Sequence, residues 1–237
     1  MHRDEFRYRT RDGLNLFART WAPDGEEKGV VALVHGLGEY GGRYVDIGQS
    51  FVDRGYVFVA GDLRGHGVSE GRRAFAARLD NFMDDLDQYC DEIRGRFPGK
   101  PLFLYCFSMG STLGAAYLVR RHPRLAGAIL VSGGFLMPPA SAAAMNKVRA
   151  LRLFVPTMAV RNGMGPNRSK VCHDTGVLEA YDADPLVYKK VTVGLAAIIG
   201  EADAEDLARA AEIQVPLLVM HGEDDIIALP EGSKRLA

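Results

Sequence analysis

The segment Cys106-Phe107-Ser108-Met109-Gly110 places a serine where it could act as a nucleophile. The apolar run Leu102–Tyr105 leads straight into it, and a helical pattern, Met109–Arg121, leads out. A serine on such a sharp strand-to-helix turn holds Oγ above the sheet edge. The helix behind it contributes about half a positive charge at its N-terminus, which favours an oxyanion. Strand and helix nearly touch at such a turn, so small neighbours are needed; Gly110, Ser111 and Gly114 supply them. The motif departs from the usual Gly-x-Ser-x-Gly at its first position, where Cys106 stands; cysteine is still small. The plainer role for a serine in front of a helix is an ordinary N-cap.

A second motif, Gly36-Leu37-Gly38-Glu39-Tyr40-Gly41, can be read in two ways. It follows a buried apolar run and precedes a helical one, with Asp62 closing the next strand. That is the layout of a dinucleotide fingerprint, so an NAD-type oxidoreductase using Gly36–Gly41 is one expectation. The other takes His35-Gly36-Leu37-Gly38 as an oxyanion loop, whose Leu37 N–H pairs with that of Met109, the residue after the nucleophile. The second reading uses both motifs. The first leaves the serine turn unexplained, and the chain has no Tyr-x-x-x-Lys for carbonyl chemistry.

The elements that must position these groups follow from hydrophobic patterning. Asp12-Gly13, between Glu5–Thr10 and Leu14–Trp21, predicts an antiparallel hairpin. Val30–Val34, Tyr56–Ala60, Leu102–Tyr105, Ala128–Val131 and Val215–Met220 read as buried strands. Helical patterns at Arg43–Arg54, Phe75–Phe97 and Met109–Arg121 alternate with them, which predicts an α/β protein with a mostly parallel sheet. The alternation breaks from Gly134 to about Gly200, where an Ala-rich stretch (Ala140–Ala144), the run Leu151–Val160 and a loop at Asn162–Asn167 read as an inserted cap. The expected organisation is thus a core of residues 1–134 and 200–237 with a cap over 135–199. Few aromatics and many Ala, Val, Leu and Met suit a cap lining an acyl tunnel, with Met158 and Val160 the first candidates to face inward.

With 29 basic and 30 acidic residues the net charge is -1, so nothing favours nucleic acid. The charged N-terminus has no apolar core of a signal peptide, and no run is long enough to span a bilayer. Three widely spaced cysteines, Cys90, Cys106 and Cys172, read as free thiols in a reducing cytoplasm. A peripheral membrane contact through the cap is compatible with all of this.

Taken together the motifs resemble those of the α/β-hydrolases, in the monoacylglycerol lipase and lysophospholipase-like, serine aminopeptidase-type branch. The resemblance runs through His35–Glu39 with Gly42-Arg43-Tyr44, Asp62–Gly71, Ser108-Met109-Gly110, Tyr181–Val187 and His221–Asp225. It implies an α/β-hydrolase fold, esterase chemistry on a small apolar ester or lipid, and neither cofactor nor metal. The acid should follow a late strand in the order Ser, acid, His. The family pattern Gly-x-x-Asp matches Gly222 to Asp225, with Asp224 second. No histidine follows Asp225, so the expected base lies beyond residue 237, as do a further helix and strand; Pro230–Ala237 reads as the opening of that helix. Asp62, Arg64, His66 and Ser69 are expected to be structural, as are Glu39 and Arg43 beside the oxyanion loop. His35 belongs to that loop, and His122 is read as a helix C-cap. A hydrolase-fold protein that binds an apolar ligand without turnover is the remaining alternative.

Overall fold

The computed structural model describes residues 2–135, 139–161 and 172–237. The hairpin comes first, β1 (His2–Arg9) pairing β2 (Asn15–Ala22) around Gly13, whose φ of 91° only glycine adopts readily. There follow β3 (Gly29–Val34), α1 (Val45–Val52), β4 (Tyr56–Asp62), α2 (Leu79–Arg96), β5 (Leu102–Phe107), α3 (Met109–Arg121) and β6 (Gly127–Val131). The expected helix start at Arg43 is corrected to Val45, because Gly41–Tyr44 forms a 3-10 turn. The expected start at Phe75 moves to Leu79, the residue after an extended Arg78.

The sheet runs β1-β2-β4-β3-β5-β6-β9, where β9 is Leu217–Met220. The pairs β1–β2 and β2–β4 are antiparallel, and the rest are parallel. From β3 the chain goes outward to β4, then back to β5 on the other side. That reversal opens a crevice at the carboxyl ends of β3 and β5, where open α/β sheets place their sites. Alternation along each strand feeds two cores. Val30, Ala32, Val34, Val57 and Val59 join the larger one with α2 and α3; Val31, Leu33, Phe58 and Ala60 join the smaller one with Tyr44 and Val52.

The interrupted region holds α4 (Pro139–Arg152), β7 (Ala159–Arg161), α5 (Thr175–Ala183) and β8 (Lys190–Thr192), with β7 and β8 forming a small antiparallel ribbon. The expected loop at Asn162–Asn167 lies outside the described residues, as do the side chains of Ala140–Ala144. The expected boundary at residue 200 falls inside a single helix, α6 (Val193–Ala208). Its buried residues Leu195, Ile198 and Ala202 recur at helical spacing, and the first two join the larger core. Met158 and Val160, expected to face inward, are each 43% exposed, which corrects that choice.

Asp203, also on α6, is buried and accepts a 2.7 Å hydrogen bond from Thr112 Oγ1 of α3. Burial pushes its carboxyl from 3.8 up to about 7, opposed by the Thr112 bond and helped by Asp206. The folded state therefore holds a proton that the unfolded chain has released, and stability should fall as pH rises from about 4 to 7, by ~4 kcal/mol at most. Asp203→Asn keeps the acceptor for Thr112 and removes the titration. Urea midpoints should accordingly show the variant gaining on the wild type as pH rises, most at pH 8. Parallel curves for the two proteins would contradict this.

Candidate active site

Ser108 sits at φ 52° and ψ -117°, a strained conformation for a residue with a side chain. The sequence enforces it from both sides. Ser108 N donates to Val131 O at 2.9 Å, continuing the β5–β6 ladder, while α3 begins at the next residue. A Cβ at Gly110 would overlap the Val34 carbonyl, and one at Gly114 would lie 2.6 Å from Cys106 Sγ. Cys106 therefore fills the space that the missing first glycine would leave. Ser111 Oγ braces the turn, donating within 2.9 Å to Cys106 O and accepting from Val131 N at 3.0 Å. The N-cap role is not what the Ser108 side chain performs: its Oγ makes no cap bond.

Gly36 lies directly opposite, where a Cβ would come 3.5 Å from Ser108 Cβ. The loop it opens is held by its own side chains. Tyr44 Oη accepts from Gly36 N and donates 2.7 Å to Glu39 Oε2, and Arg43 Nε donates to Glu39 Oε1 at 3.4 Å. Neither the Leu37 nor the Met109 N–H finds an acceptor among the described residues.

The acidic candidates separate clearly. Asp225 follows β9 and is anchored by Ile227 N at 2.8 Å and Ala228 N at 3.0 Å, both on Oδ1. Its Oδ2 lies 3.3 Å from His221 Nε2. Asp224 is exposed and has no bond among the described residues. His221 uses both ring nitrogens locally, Nδ1 with Ser233 Oγ at 2.6 Å and Nε2 with Ala228 O at 2.9 Å. His35 and His66 are sealed in the core, where burial lowers them to about 4 and about 3 and keeps them neutral. No histidine among the described residues is bonded to Ser108. His122 adopts the left-handed conformation at the end of α3.

Asp62 cannot serve a ribose. It is fully buried, with Oδ1 taking Gly41 N and Arg19 Nη1 at 2.8 Å each and Oδ2 taking Val68 N at 3.0 Å. Ser69 Oγ donates to Asp62 O, and Arg64 is gripped by Asp85 and Asp12. These side chains bind the turn that was expected to be structural. A cavity of about 190 Å³ beside Arg64 has charged walls and shares no residue with the serine turn.

Sequence reasoning missed two features. Tyr40 and Asp184 meet across the loop, although both lie in motifs already noted. The cap also carries an exposed apolar patch, with Leu153 80% and Phe154 82% exposed. In the sequence, residues 136–173 contain Lys147, Arg149, Arg152, Arg161, Arg168 and Lys170 but no Asp or Glu. Among the described residues no cluster of His, Cys, Asp and Glu could hold a metal ion, and no helix is long and apolar enough to cross a membrane.

The sheet order, the hairpin and the serine turn are those of an α/β-hydrolase. Residues 25–237 match the family model for serine aminopeptidase, S33, and the chain belongs to that family, in its monoacylglycerol lipase-like branch. It is 32% identical to a monoacylglycerol lipase of Mycolicibacterium smegmatis over 99% of this chain and 83% of that protein. Human monoglyceride lipase is 30% identical, over 94% of this chain and 73% of its own length. The crystal structure of a monoacylglycerol lipase from Paleococcus ferrophilus superposes with a TM-score of 0.83 at 27% identity, covering 93% of this chain and 82% of that one. The chain is thus a hydrolase of this fold.

Proposed function

We propose that the protein cleaves carboxylic esters, monoacylglycerol or lysophospholipid in type, with Ser108 as nucleophile. The observation that carries this is a strained serine with a free Oγ, facing a glycine loop beside two unspent N–H groups. An N-cap serine has no need of such a backbone. A ligand binder without turnover has no use for it either.

In this reading Ser108 Oγ attacks the ester carbonyl carbon while a histidine takes its proton. The carbonyl oxygen, now negative, is held by the N–H groups of Leu37 and Met109. The tetrahedral species collapses, the alcohol leaves with the proton, and water then releases the acid from the acyl-serine. Asp225 orients the histidine. His35, His66 and His221 are each engaged elsewhere. The names of the relatives support a monoacylglycerol-type substrate. The basic, apolar cap patch supports work at an anionic lipid surface, and the free thiols of Cys90, Cys106 and Cys172 suit a cytoplasmic location.

The test is a chain-length series of p-nitrophenyl esters in solution beside monoacylglycerols in anionic vesicles. Turnover of both is expected, and Phe154→Asp should slow the vesicle reaction severalfold while sparing p-nitrophenyl acetate. No hydrolysis of any member would leave the non-catalytic binder as the better account.

A further inference from the structure

The geometry points to Asp184 as a positioning residue that fixes the oxyanion loop from the cap side. This rests on the esterase reading above and adds to it a residue outside the triad and the oxyanion hole. Asp184 ends α5, and its two oxygens do different jobs. Oδ1 accepts from Leu186 N at 2.9 Å, which sets the turn through Pro185. Oδ2 accepts from Tyr40 Oη at 2.8 Å and lies 3.8 Å from Arg43 Nη1. Past the turn, Tyr188 N donates 2.8 Å to Gly38 O, a backbone bond onto the loop itself. Arg43 stacks over the Tyr181 ring at 4.9 Å while also holding Glu39.

Four contacts thus tie residues 181–188 to residues 38–43, starting at the loop glycine that follows Leu37. The core side fixes Gly36 through Tyr44 and Gly41 through Asp62. Between these anchors, among the described residues, the cap segment supplies the hydrogen bonds to Gly38 O and Tyr40 Oη, while Arg19 of β2 lies over the Tyr40 ring at 5.5 Å. Gly38 has φ 75°, so without the clamp this stretch has a soft backbone to move on. An oxyanion donor works only when its N–H is aimed before charge develops, and losing one outright costs a hundredfold to a thousandfold in kcat. Loosening its loop should cost less.

With rates normalised to fluorophosphonate-titrated Ser108, Tyr40→Phe should lower kcat about tenfold to a hundredfold. KM for a short ester should stay within about twofold, because ground-state binding does not use the oxyanion donors. The affinity of a trifluoromethyl ketone, which forms an oxyanion on Ser108, should fall by the same factor as kcat. Asp184→Ala should behave alike, and the double variant should be no worse than Asp184→Ala alone. Asp184→Asn has one acceptor oxygen for two donors, so it should recover only part of the loss. An active wild type whose Tyr40→Phe and Asp184→Ala variants keep kcat per titrated serine and keep ketone affinity overturns the clamp and leaves the esterase reading standing. Losses confined to KM or to the amount of folded protein overturn it too. A wild type that neither turns over esters nor labels at Ser108 sinks both.

Discussion

Ser108→Ala is expected to lower kcat for ester hydrolysis by about a millionfold, the scale on which serine triads lose turnover with the nucleophile. The loss is so large because every later step runs through the acyl-serine. The variant should fold, since Oγ makes no structural bond and alanine meets the same backbone demand as serine. Fluorophosphonate should label the wild type once and the variant not at all. Undiminished labelling of Ser108→Ala would remove it as nucleophile, whatever the rates.

Asp225→Asn should cost about ten-thousandfold in kcat, as when a triad aspartate is replaced and its histidine takes the wrong tautomer. The amide can still accept from Ile227 and Ala228, so the loop after β9 should hold its shape. Asp224→Asn is the control and should change kcat less than twofold, because that side chain is exposed and makes no described bond. The reverse pattern, a large loss at Asp224 and none at Asp225, would move the acid one residue back.

Local chemistry made much of this fold legible. Asp12-Gly13 announced its turn, and α3 begins and ends at the residues its pattern gave, bounded by the serine turn and His122. Strands β3 and β4 stood out because burial on both faces makes them continuous apolar runs; Val215–Met220, expected to be buried like them, is corrected to Leu217–Met220, an end strand whose Leu218 and Met220 are exposed. Failures came where a partner far along the chain decides. Patterning cannot tell that α6 packs on α3, so the cap edge was drawn through the middle of a helix. Tyr40 and Asp184 are 144 residues apart, and each alone reads only as a member of its own motif. The apolar run at Leu151–Val160 reads as cap suited to line an acyl tunnel, yet Leu153 and Phe154 face outward; a periodicity reports which residues share a face, not what that face meets.

The order of synthesis gives the sheet a built-in delay. The glycine loop, the serine turn and strands β1 to β6 are all translated before residue 132, and their pairings can form as they emerge. Strand β9, with Asp225 just behind it, must wait for residues 132–216 and then close that long loop onto β6. At ~5–20 residues per second the ribosome leaves an interval on the order of ten seconds. During it the nascent chain exposes the open side of β6, which is apolar and has unpaired backbone groups. The lag makes β6 the segment where a chaperone would find this chain, and where a stalled ribosome would leave it most prone to aggregate.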